Sequence, residues 1–130
     1  MYYNPNSQKI HDVKSKIYIA KYLRTAQDEN FYQKKVYDNP EMFYFNVQPL
    51  KNESEIREFG QLSTAMKVAV ITEKGKYLDK FNEFDVAYLD GVEPNGELEN
   101  GDNANYRIYA VRNQNTIIRI YFLKLAVDNK

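Results

Sequence analysis

The chain has 130 residues, enough for one domain with a sizeable core and too few for two. Its 43% hydrophobic and 28% charged residues are ordinary for a globular protein, and no apolar run approaches the roughly 20 residues of a membrane-spanning helix, which excludes that mode of membrane insertion. Eighteen basic and eighteen acidic side chains balance, so the whole chain exerts no long-range pull on nucleic acid or an anionic membrane, and the lack of cysteine removes disulfides, thiolate metal sites and cysteine nucleophiles.

Charge is uneven along the chain. Residues 1–37 carry seven basic and three acidic residues, 79–102 carry one and eight, and 103–130 carry five and one. An acidic segment therefore lies between basic arms. Twelve tyrosines and seven phenylalanines lean towards strands and contact surfaces.

Residues 1–14 hold Asn-Pro-Asn-Ser and the only histidine, His11, without an apolar period, and are expected to form an extended arm. The start Met1-Tyr2-Tyr3-Asn4-Pro5-Asn6 lacks the basic and apolar regions of a secretory signal, so the product is expected to stay in the cytoplasm where it is made. From Ser15 to Arg24 alternation predicts a strand, with Ile17, Ile19 and Leu23 on one face and Tyr18, Ala20 and Tyr22 on the other. A polar connection, Thr25 to Asn30, leads to a second strand from Phe31 to Tyr37 that ends at the turn signal Asp38-Asn39-Pro40, giving a hairpin.

Glu41 to Gln48 alternates Phe43, Phe45 and Val47 with Met42, Tyr44 and Asn46, and Pro49 then stops further ladder pairing. Asn52 followed by Glu55 reads as a capping box, opening a helix to about Leu62 whose stripe of Ile56, Phe59 and Leu62 covers one face or end of the sheet. Lys67 to Thr72 is a β-branched strand closed by a turn at Gly75, and Phe84 to Leu89 alternates again. The stretch from Asp90 to Asn103 is a long acidic loop. Tyr106 to Arg112 and Thr116 to Leu125 form a closing hairpin around Asn113-Gln114-Asn115, and residues 126–130 are a tail.

Short, frequent strands with one helix and no βαβ alternation predict a mainly β protein: a small antiparallel β-barrel or sandwich, residues 15–125, with one short α-helix and a long acidic loop. No phosphate loop, nucleophile elbow or dinucleotide fingerprint is present, and His11 sits in the unpatterned arm, so no enzyme activity, catalytic residue or cofactor is expected. The carboxylates Asp85, Asp90, Glu93, Glu97, Glu99 and Asp102 lack EF-hand spacing and read as a solvated loop, with no metal expected.

With Ile17, Ile19, Tyr106, Ile108, Ile118, Ile120 and Phe122 inward, the opposite face carries Tyr18, Tyr22, Arg107, Tyr109, Arg119 and Tyr121. That face is either ordinary sheet surface, covered in part by the helix and the arm, or a protein interface, or an OB-like platform for single-stranded nucleic acid. Neutral net charge and the acidic segment disfavour the last.

The layout resembles the head-closure (stopper) and related head–tail connector proteins of long-tailed bacteriophages. The resemblance rests on an opening strand pair, Phe45-Asn46-Val47-Gln48-Pro49-Leu50 before the Asn52–Leu62 helix, Met66 to Thr72, Phe84-Asp85-Val86-Ala87-Tyr88-Leu89-Asp90-Gly91, and the closing hairpin. The long Asp90 to Asn103 insertion departs from that pattern. The resemblance implies a virion structural protein of the head–tail joint, with tail-completion and neck roles as close variants. Copies would form a ring between the portal or adaptor and the tail proteins, with genomic DNA passing through without sequence-specific binding. Acidic residues Asp90, Glu93, Glu97, Glu99 and Asp102 facing that lumen would repel phosphate and let DNA slide.

Overall fold

The computed structural model describes residues 14–126. His11 and nearly all of the expected arm and tail lie outside the described residues. The protein is mainly β. Strands β1 (Ser15–Ala20), β4 (Glu41–Pro49), β5 (Met66–Ile71), β6 (Val86–Tyr88), β7 (Tyr106–Gln114) and β8 (Ile117–Lys124) close a barrel in the order β1-β4-β5-β8-β7-β6. Every ladder is antiparallel, including the β1–β6 pair that closes the barrel. Closure removes the free edges that an open sheet of this size would expose.

Strand alternation fills the interior. Ile17, Ile19, Phe43, Phe45, Ile108, Ile118, Ile120 and Phe122 meet inside, and Ala69 and Ala87 leave room for the rings. Phe43 and Phe45 stack at 5.3 Å, with Phe81 and Tyr77 edge-on against them at one end. Tyr77 ends a single helical turn, α2 (Lys74–Tyr77), and Phe81 follows it, where the sequence predicts a glycine turn; Gly75 has no positive φ there.

The helix α1 (Glu53–Phe59) begins as expected, with Asn52 Oδ1 accepting the Ser54 amide at 2.9 Å, and continues as a 3-10 turn, Gly60–Ala65. Its buried face differs from the predicted stripe. Ile56 and Leu62 are exposed, and Glu55 and Phe59, four residues apart, face the barrel. The Glu55 carboxylate turns from the cap to accept from Arg119 (3.0 Å) and the Tyr121 hydroxyl, so a charged anchor sets the helix rotation. Covered by α1, β5 is buried on both faces, with Ala69 and Ile71 inward and Met66 and Val68 under the helix.

The predicted strand Ser15–Arg24 breaks at Lys21. Its second half is β2 (Tyr22–Gln27), which leaves the barrel and pairs only with β3 (Gln33–Tyr37) in a two-stranded hairpin. Asp85 directs this exit: its buried carboxylate takes the Tyr22 amide at 2.9 Å and the Asn82 amide at 3.0 Å. Asp85 is therefore a buried backbone anchor and not part of a solvated acidic loop.

Candidate interaction surface

Where the hairpin leaves the barrel, three elements converge: the base of β2–β3, the turn at 82–85, and β7. The two amide bonds accepted by Asp85 lock that turn and project its neighbour Phe84 outward, 63% exposed. The Phe84 ring lies 5.7 Å from Tyr22, which lies 6.1 Å from Tyr37. A cleft opens on each side of Phe84. One, of about 390 Å³, is lined by Tyr22, Phe81, Asn82 and Val111. The other, of about 320 Å³, is lined by Lys35, Tyr37, Arg107, Tyr109 and Leu125, and Glu83 lines both.

Tyr109 follows the inward Ile108 and so faces outward, at a β-bulge that puts Ala110 on the same side. In the β7–β8 register Ile108 faces Phe122 and Ala110 faces Tyr121, leaving Tyr109 without a partner. Its ring sits 5.2 Å beneath the Arg107 guanidinium and edge-on to Phe59 at 5.8 Å. Neither Arg107 nor Lys35 has an ion-pair partner among the described residues. The surface thus combines an exposed ring, a wall of tyrosines and two cations without ion pairs, the composition of a contact patch with an aromatic centre and a polar rim.

Three of the six residues expected on the outer face, Tyr22, Arg107 and Tyr109, meet here. Tyr18 lies elsewhere, edge-on to Tyr88 at 6.3 Å, its hydroxyl donating to Glu93 at 3.3 Å. Arg119 and Tyr121 are covered by α1, and Tyr121 is wholly buried, which withdraws both as free interface residues. Burial, then the Glu55 hydrogen bond, raise the Tyr121 hydroxyl above its ordinary range, so it stays a donor. Phe84, Lys35 and Tyr37 were missed in the outer-face reading because hairpin and turn come together only in three dimensions.

The loop at 90–103 runs in successive turns and is largely neutralised. Asp90 pairs with Lys67, Glu93 with Lys16 at 3.2 Å, and Glu99 with Lys34 at 2.8 Å; Glu97 and Asp102 have no ion pair among the described residues. Burial works against the Asp90 charge, but Lys67 and the Tyr106 hydroxyl outweigh it and hold the carboxyl below its usual range. Burial, and then Asp90, push Tyr106 up to about 12. The loop also ties the barrel to the hairpin base: Gly101 donates to the hydroxyl of Tyr88 on β6 at 2.8 Å, and Asn100 donates to the Tyr37 carbonyl at 3.4 Å. Asn105 closes its far end, its side-chain amide exchanging two hydrogen bonds with the Leu89 backbone at 2.8 and 2.9 Å, as a paired strand residue would.

Among the described residues no group of three His, Asp or Glu side chains is placed to hold a metal, and no helix is long and apolar enough to cross a membrane. No family model, curated protein or solved structure matches the chain.

Proposed function

We propose that this chain is a structural protein of the bacteriophage head–tail joint, a head-closure or connector protein that works by docking. Its copies form a ring below the portal or its adaptor, in contact with tail proteins, and the genome passes through the ring. The observation that carries this reading is the surface around Phe84, where a large apolar ring stays exposed beside unpaired Lys35 and Arg107. A buried position would stabilise the fold more, so an exposed anchor held by a locked turn is better explained by contact with a partner. The closed barrel supports the same reading, because it offers rigid faces for repeated contacts of moderate strength. In that ring the 90–103 loop faces the lumen, where Glu97 and Asp102 supply the unneutralised charge that keeps phosphate from sticking.

A second reading, an OB-like module for single-stranded nucleic acid, draws support from the same tyrosines and cations on a small barrel. Glu83 in the cleft lining and the balanced total charge weigh against it. Co-sedimentation with purified bacteriophage portal complexes separates the two. The joint protein is expected to travel with the portal and Phe84→Ala to lose about 30-fold in affinity, the equivalent of ~2 kcal/mol at a hot spot. Absence of portal binding, together with a gel shift of single-stranded DNA at physiological salt, would establish the OB-like reading instead.

A further inference from the structure

The far end of the β2–β3 hairpin carries a feature that its own stability does not explain. Phe31 and Tyr32 at the tip are 79% and 70% exposed, and Phe31 has a φ of 66°, a left-handed backbone that a bulky side chain rarely adopts. The turn is held by Asp28. Its carboxylate accepts the amides of Asn30 and Tyr32, both at 2.9 Å, its carbonyl accepts the Phe31 amide at 3.0 Å, and its own amide donates to the Tyr32 carbonyl at 2.9 Å. Four hydrogen bonds are thus committed to a turn that shows two rings to solvent. Asp28 and Glu29 add negative charge beside them, and neither forms an ion pair among the described residues.

The opposite properties stand at the other end of the same hairpin. The cleft between Phe84 and Tyr109 offers aromatic walls, two cations without ion pairs, Lys35 and Arg107, against one carboxylate, Glu83, and about 320 Å³. The hairpin register runs from Tyr22 opposite Tyr37 to Gln27 opposite Gln33. At about 3.3 Å per residue its tip stands roughly 16 Å from its base and cannot fold back into its own cleft.

We infer that the hairpin tip of one copy enters the Phe84–Arg107 cleft of the next, the Phe31 and Tyr32 rings packing on Phe84 and Tyr109 while Asp28 and Glu29 meet Lys35 and Arg107. Tip and cleft are different patches, so the contact is head-to-tail and repeats from copy to copy, closing into a ring where the rotation allows. This deepens the self-association in the proposed function and rests on that part of it.

The chain has no cysteine, so introduced thiols are the only ones present. Asn30→Cys at the tip and Glu83→Cys in the cleft lining are both exposed positions. Mixed as two single variants, one carrying a mass tag, and oxidised both in solution and on portal complexes, they are expected to form the mixed disulfide at least tenfold faster than Asn30→Cys mixed with Lys51→Cys, an exposed site before α1. Arg107→Glu in the cleft partner should slow the reaction about tenfold, and Glu29→Lys in the tip partner should restore it. A rate no faster than the Lys51 control in both settings, or a fast rate indifferent to both charge reversals, overturns the tip-to-cleft contact. Portal binding without the cross-link removes this contact and leaves the head–tail assignment standing; the cross-link without portal binding does the reverse.

Discussion

Gly101→Ala tests how the acidic loop fixes the hairpin to the barrel. Gly101 has a φ of 89°, and a Cβ added there would come within 2.5 Å of a Tyr37 ring carbon. The left-handed backbone alone costs an L-residue roughly 1–2 kcal/mol, and forcing a methyl against packed atoms typically adds about 1–3 kcal/mol. The Tyr37 backbone is fixed by pairing with Tyr22 and by Asn100 at its carbonyl, and the contact falls on the ring atoms nearest that backbone, so the ring has little room to give. A loss of about 3 kcal/mol is expected, a large part of the stability of a domain this size. In urea, with a slope of about 1.5 kcal/mol/M, the midpoint should fall by ~2 M. Tyr37→Ala removes the clashing ring, so in that background the added cost of Gly101→Ala should shrink to the backbone part, about 1–2 kcal/mol, giving a clear coupling in a double-mutant cycle. A wild-type-like midpoint for Gly101→Ala, or the same added loss with and without the Tyr37 ring, would refute the close packing of loop on hairpin.

Three further outcomes follow from the same geometry. Glu55→Ala leaves the Arg119 guanidinium without its partner under α1 and should cost about 3 kcal/mol by urea denaturation, whereas Ile56→Ala, on the exposed side of the helix, should change stability by under about 0.5 kcal/mol. Asp90 has a folded pKa below its unfolded value, so it contributes stability above the ordinary carboxylate range that is lost as pH falls through the folded value; denaturation midpoints from pH 6 to 3 should fall less steeply for Asp90→Asn than for the wild type. Phe84→Ala should leave the thermal midpoint within a few degrees of wild type, because its ring is mostly in solvent, and an unfolded variant would mean that Phe84 serves the fold and not a partner.

Period-two patterning made the barrel strands legible in advance. The inward set of Ile17, Ile19, Ile108, Ile118, Ile120 and Phe122 follows from alternation alone, as the Asn52 cap follows from its spacing to the helix. Closure into a barrel also agrees with the reading of short strands and turns. The outer face was legible only in part. Alternation puts Tyr109 and Tyr121 on one side, and both lie there against Phe59, yet a helix buries Tyr121 and a bulge turns Ala110, next along the strand, to the same outer side. Neither event leaves a mark in local sequence, since each depends on what lies across the ladder.

Local sequence by itself determined where strands alternate, where the helix starts and that one segment is acidic, because those properties depend on residues a few positions apart. Tertiary structure alone decided that Asp85 is a buried anchor, that the chain leaves the barrel at Lys21, and that three lysines neutralise most of the acidic loop. The physical reason is distance along the chain. Apart from the local Asp85–Asn82 bond, the partners in those contacts are 23 to 77 residues apart, and only closing the barrel brings a carboxylate, an amide or an ammonium group within hydrogen-bond reach.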